Sequence, residues 1–145
     1  MFYLIYLSVP TARLDDNDYI QILEKAHGNN GAQNITGMLL ATEGYFMQYI
    51  EGEEESVKYL YSKITLDKRH QHLFILDQGE TDQRYFENWK MGFDYMEWAA
   101  KRKEGLSPVL KSPNWHWSED QLKHRPIELM NRFREQFSQM PIHSI

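Results

Sequence analysis

Cysteine is absent from the chain, and disulfides, thiolate zinc sites, iron–sulfur clusters and cysteine nucleophiles go with it. Long apolar runs are absent too. None approaches the roughly 18 residues that a membrane-spanning helix needs, and Met1 to Leu7 lacks the charged start of a signal peptide, so a cytoplasmic protein without membrane contact is expected. Positive charge is sparse: 16 Lys and Arg stand against 21 Asp and Glu. With no basic cluster denser than Lys101-Arg102-Lys103, nothing marks a direct nucleic-acid contact. No internal repeat or low-complexity tract is visible, and neither a Ser-His-Asp order nor a glycine-rich phosphate loop supplies a nucleophile or phosphate site. His70 and His72 lie two apart, but no Glu-x-x-His pattern joins them into a metal site.

What remains is one domain's worth of chain rich in aromatic residues. Its 145 residues are enough for a real core, and nine Tyr, seven Phe and four Trp exceed what a core of this size requires. Some of them are candidates to line a planar ligand, although packing alone also accounts for aromatic side chains.

Five segments carry strand signals: Phe2 to Ser8, Ile35 to Thr42, Tyr45 to Gly52, His72 to Leu76 and Trp89 to Tyr95, each rich in β-branched or aromatic residues. A helix is predicted after Asp15-Asp16, with Tyr19, Ile20, Leu23 and Ala26 repeating at helical spacing, and Gly28-Asn29-Asn30-Gly31 ends it. A second helix opens at Glu53-Glu54-Glu55, whose acids are read as capping, buries Val57, Leu60, Tyr61 and Ile64, and closes at Asp67-Lys68-Arg69-His70. Thr81 to Asn88 reads as a loop or short helix. The order is a ferredoxin-like βαββαβ(β) arrangement of the α+β class, with two helices on one face of the sheet. Residues 96–145 form a C-terminal helical extension, helical from Ser118 to Gln139 and interrupted at Pro126, with Trp115 and Trp117 as anchors.

Gln48 stands out in this frame. In a strand, Phe46, Gln48 and Ile50 share one face while Tyr45, Met47, Tyr49 and Glu51 share the other. The topology predicts the first strand and the Gln48 strand as parallel neighbours in mid-sheet, so that Tyr6 and Gln48 sit side by side under the helices. A buried amide left unpaired costs about 1–3 kcal/mol, so a side chain, a water or a ligand must meet it.

Leu-Ile-Tyr6-Leu-Ser8, Asn29-Asn30, Ile35-Thr36-Gly37, Phe46-Met47-Gln48-Tyr49-Ile50-Glu51-Gly52, Asp67-Lys68-Arg69-His70 and Asn88-Trp89-Lys90-Met91-Gly92 resemble, in order and spacing, the motifs of the BLUF domain. The resemblance covers about residues 2 to 95 and implies a blue-light sensor that holds FAD non-covalently between the two helices and the sheet. It further implies Tyr6 as electron and proton donor, Gln48 as the amide that rearranges, and Trp89 and Met91 as a signal relay. Ser8, Asn29, Asn30, Gln48, Asp67, Arg69 and His70 would hold the cofactor. Photochemistry through a cysteinyl–flavin adduct is excluded, because there is no cysteine.

The expected division is a flavin-binding domain over residues 1–95 and a capping or output extension over 96–145, which is shorter than the roughly 100 residues of a typical catalytic domain. Output is therefore expected through a protein partner or a homo-oligomer, not through catalysis. Two other classes compete: a light-independent ferredoxin-like hydrolase or flavin enzyme using Arg69 and the Asn pair, and a dimerisation module without ligand.

Overall fold

The structure, a computed structural model, describes residues 1–12, 18, 21–22, 33–41, 44–87, 92–95 and 117–139. Strands β1 (Phe2–Pro10), β2 (Thr36–Ala41), β3 (Phe46–Gly52), β4 (His70–Glu80) and β5 (Gly92–Tyr95) form one sheet in the order β4-β1-β3-β2-β5. Helix α1 (Glu54–Ile64) joins β3 to β4, and α2 (Glu119–Lys123) and α3 (Arg125–Gln139) come last. The α+β, ferredoxin-like class holds, with β5 added parallel to β2 at one edge.

The strand directions correct one expectation. β1 and β3 are central neighbours, but they run antiparallel, with Tyr6 directly opposite Gln48. β3 is antiparallel to β1 and to β2, so β1 and β2 share a direction with β3 between them. The crossover delivers β2 parallel to β1 one strand away, and the hairpin turns β3 back into the gap. Burial of Gln48 depends only on β3 being central, and it is 7% exposed.

Several boundaries also move. β4 runs from His70 to Glu80; of the predicted fifth strand the described part is Gly92–Tyr95, and Trp89 to Met91 lie outside the described residues. Asp67 to Arg69 form a turn after α1 has ended at Ile64, and His70 already belongs to β4. Glu53 makes no side-chain cap on α1, so the acids of that turn act on the helix dipole from Glu54 and Glu55. Most of the helix predicted after Asp15-Asp16, and Asn29 and Asn30 with it, lies outside the described residues.

Alternation along the strands builds two cores. Phe2, Leu4, Tyr6, Leu39, Phe46 and Ile50 pack with Val57, Leu60, Tyr61 and Ile64 of α1, and Ile22 joins them. On the reverse face Ile5, Met38, Leu40, Met47 and Tyr49 meet Phe86, Ile127 and Met130, with Trp117 and Phe133 alongside. The C-terminal helices therefore cover the second face of the sheet, as two segments. Ser118 caps α2 through a reciprocal capping box with Gln121. Pro126 sits in the first turn of α3, where its missing N–H costs nothing.

Candidate functional site on the helix side of the sheet

On β1 and β3 the pleat sends Tyr6, Ser8 and Gln48 toward α1, and all three are buried. The Tyr6 hydroxyl donates to Oε1 of Gln48. Burial first, and the neighbouring Tyr61 and Asp67 after it, raise the Tyr6 pKa well above the ordinary phenol range. Tyr6 therefore keeps its proton and acts as donor. That fixes the amide, whose oxygen faces Tyr6 while Nε2 remains the donor end.

Beside this pair, Ser8 Oγ lies 2.8 Å from Nδ1 of His70, and His70 Nε2 lies 2.7 Å from the carbonyl oxygen of Ile64. A carbonyl only accepts, so Nε2 carries the hydrogen; in the neutral ring, Nδ1 then accepts from Ser8. The imidazole ties the start of β4 to the end of α1 and to β1. Its ring lies 6.1 Å from the rings of both Tyr6 and Phe46, and Tyr61 tilts over Tyr6 at 5.5 Å. His72 points elsewhere: it is exposed and takes a positive φ of 55° in a β4 irregularity, so the two histidines do not act together.

Asp67 and Arg69 form a half-buried pair. Arg69 Nη2 lies 2.5 Å from Oδ2 and Nε lies 2.9 Å from Oδ1, and the Arg69 backbone N–H also donates to Oδ1 at 2.9 Å. These hydrogen bonds hold the Asp67 carboxyl below its ordinary range. The result is a set of mutually tilted aromatic rings around an amide, a hydroxyl and an imidazole, with an ion pair in the adjoining turn.

A family model described as BLUF, sensors of blue-light using FAD, matches residues 1–92. The chain belongs to the BLUF family. The domain is a light sensor rather than a catalyst, and FAD is the cofactor it uses. Among relatives, the photoactivated adenylate cyclase subunit alpha of Euglena gracilis is 35% identical over 120 residues, which cover 79% of this chain and 12% of that protein. The blue light- and temperature-regulated antirepressor BluF of Escherichia coli (strain K12) is 34% identical over 77 residues, covering 50% of this chain and 18% of that protein. The chain thus spans a small share of these curated relatives. Among solved structures, the dark state of BlrB, a BLUF protein, matches with a TM-score of 0.64 at 29% identity over 66% of this chain and 73% of that one. The photo-activated state of BlsA shares the fold over 99% of both chains, with a TM-score of 0.64 at 22% identity.

The donor set of this BLUF site suits a flavin. An isoalloxazine ring is planar and apolar on its faces with a polar edge, and the site offers aromatic faces around a buried amide whose two ends differ in hydrogen-bond sense. Of the residues predicted from sequence, Tyr6, Ser8, Gln48 and His70 come together on one face, with Asp67 and Arg69 in the adjoining turn. Asn29, Asn30, Trp89 and Met91 lie outside the described residues.

Sequence reasoning missed a second buried polar group on the opposite face of β3. Glu51 is fully buried and collects Thr36 Oγ1 (3.0 Å), the Tyr49 hydroxyl (3.1 Å), and the backbone N–H groups of Tyr85 (2.9 Å) and Phe86 (2.7 Å). Burial outweighs these donors and leaves its carboxyl above the ordinary range. The signal was available: an acid alternating into a strand between Ile50 and Gly52 cannot reach water from mid-sheet.

Proposed function

We propose that the chain is a blue-light photoreceptor in which Tyr6 and Gln48 carry the photocycle and output passes to a protein partner or to further copies of the chain. The observation that carries this reading is the buried Tyr6–Gln48 hydrogen bond at the centre of the sheet. When bound, FAD supplies blue-light absorption and, once excited, an acceptor for one electron. Tyr6 is the donor of that electron, and its proton already rests against Oε1 of Gln48. An amide accepts at oxygen and donates at nitrogen, so a proton taken at one end is released from the other. That electron and the proton released at Nε2 would both go to bound FAD and both be given back, so that Tyr6 would recover its hydrogen and Gln48 would be left in its other arrangement. Rotation or tautomerisation exchanges acceptor for donor at the same place, a change small in geometry that biases the packing around it.

Ser8, Asn29, Asn30, Asp67, Arg69 and His70 hold the cofactor in this reading, and Trp89 and Met91 relay the change at Gln48 toward residues 96–145. Residues 1–95 form the sensor and 96–145 the capping and output segment. Two relatives are named as a light-activated cyclase subunit and an antirepressor, which supports a protein partner as the receiver. Among the described residues no helix is long and apolar enough to cross a membrane, and we place the protein in the cytoplasm. The test is Gln48→Leu, which fills the volume without offering a donor. Retained FAD with no light-minus-dark signal is expected, and a normal signal removes Gln48 from the mechanism.

A further inference from the structure

β3 presents Gln48 to one face of the sheet and, one residue later, Tyr49 to the other. The Tyr49 hydroxyl, on a fully buried side chain, lies 3.1 Å from Oε1 of Glu51 and 3.0 Å from Nε2 of His124. It has one proton for two neighbours. With Glu51 ionised, that proton goes to the carboxylate and His124 donates from Nε2 to the phenol oxygen. Every donor then points toward Glu51: His124 through Tyr49, Arg84 through Thr36 (2.8 Å), and the N–H groups of Tyr85 and Phe86.

His124 is placed to feel that network and pass it on. Its ring stacks on Tyr85 at 4.2 Å and 3°, and meets Tyr3 edge-on at 4.9 Å. Its main chain ends α2, and its carbonyl accepts from Ile127 and Glu128 N–H at 3.0 Å each, starting α3. One residue therefore docks its side chain on β3 and sets the first turn of the C-terminal helix with its backbone.

Resting on the photoreceptor reading above, we propose that the change at Gln48 reaches α3 through the reverse side of β3, with Tyr49 and Glu51 as positioning residues and His124 as the receiving group. A turn of the β3 backbone at Gln48 is shared by Tyr49, and with both side chains buried the displacement passes to the groups that touch them. The element with two arrangements is the phenol between carboxylate and imidazole: its proton points to Glu51 while His124 carries its hydrogen on Nε2, and to His124 when that hydrogen sits on Nδ1 and Nε2 becomes the acceptor. The network also reaches Tyr85 and Phe86, in the segment leading to Trp89, so the route and the relay through Trp89 and Met91 share an anchor.

The test uses the full chain loaded with FAD, in darkness and under continuous blue light, reading the absorption difference and amide hydrogen exchange of residues 119–139. Wild type is expected to show a red-shift together with a change of about tenfold in exchange over α3. Tyr49→Phe keeps the ring and removes the hydroxyl. His124→Phe keeps the stacking and removes Nε2. Both are expected to retain the red-shift while the light-dependent exchange change falls below about twofold. Arg132→Ala, at an exposed ion pair on the same helix, is expected to respond like wild type. If both variants keep the wild-type exchange difference, the network is cement only and the proposal fails. A wild-type red-shift with unchanged α3 exchange overturns the route and leaves the photoreceptor reading standing; no red-shift overturns both. Should Tyr49→Phe lose FAD, His124→Phe decides alone.

Discussion

Tyr6 and Gln48 face each other across two antiparallel central strands, joined phenol to amide oxygen inside the helix-side core of the sheet. Neither strand lies at an edge, so the pair is held by sheet pairing on both sides: Tyr6 between Gln48 and Ile75, Gln48 between Tyr6 and Leu39. That placement separates binding from switching.

Tyr6→Phe should retain FAD, because the ring still packs against Tyr61, and should lose the photocycle, because the oxidisable phenol and its proton are gone. The loss of a buried donor to Gln48 should cost about 1–3 kcal/mol of folding stability. Flavin occupancy, a light-minus-dark spectrum and urea unfolding read the three effects on one sample. A normal photocycle in this variant would contradict the role given to Tyr6.

Asn30→Ala should weaken FAD retention without abolishing the response of the molecules that stay loaded, since an amide that pairs a polar ring edge is removed while Tyr6 and Gln48 remain. An occupancy equal to wild type after gel filtration would return Asn30 to ending the first helix.

Glu51→Ala should destabilise the fold by about 3 kcal/mol or more, because the donors from Thr36, Tyr49, Tyr85 and Phe86 are left in a dry interior. Gly37→Ala should be worse. A Cβ there would lie 1.9 Å from the Tyr49 carbonyl oxygen, and neither β2 nor β3 can move away without breaking the pairing that positions Gln48. Soluble yield and the unfolding midpoint test both, and wild-type stability in either would contradict the described packing.

Burial lowers the His124 pKa below the ordinary imidazole value despite the opposing field of Asp77 and Asp82. The sign follows from linkage. The unfolded chain takes up this proton more readily than the folded one, so the contribution is intact above about pH 6.5, falls as the pH drops below it, and levels off once the folded value is passed. Unfolding measured across that window should show this slope in wild type and lose it in His124→Phe. Equal slopes would mean that His124 is not the group responsible.

Local sequence carried much of the sensor face. Alternation along Phe2 to Ser8 and Phe46 to Gly52 placed Tyr6, Ser8 and Gln48 together, because a strand has only two faces and their neighbours are apolar. The direction of β3 relative to β1 is not legible in alternation, which is the same whichever way a neighbour runs; only the hairpin's return into the gap decides it. The partners of His70 were not legible either: Ser8 is distant in sequence, and the Ile64 carbonyl is a backbone group with no residue signature. Alternation puts Glu51 on the same face as Tyr49, but its other donors come from Thr36 and the Tyr85–Phe86 segment, which meet only in the folded sheet. His124 gave no local signal, because its role comes from sitting between two helices that cover the reverse face.

The central claim is that this chain senses light through Tyr6 and Gln48 with FAD bound. The most direct measurement is the absorption spectrum of the purified protein in darkness, under blue light and after return to darkness. The account predicts a yellow protein whose flavin bands shift reversibly to the red. A colourless protein, or a yellow one with identical dark and lit spectra, would contradict it.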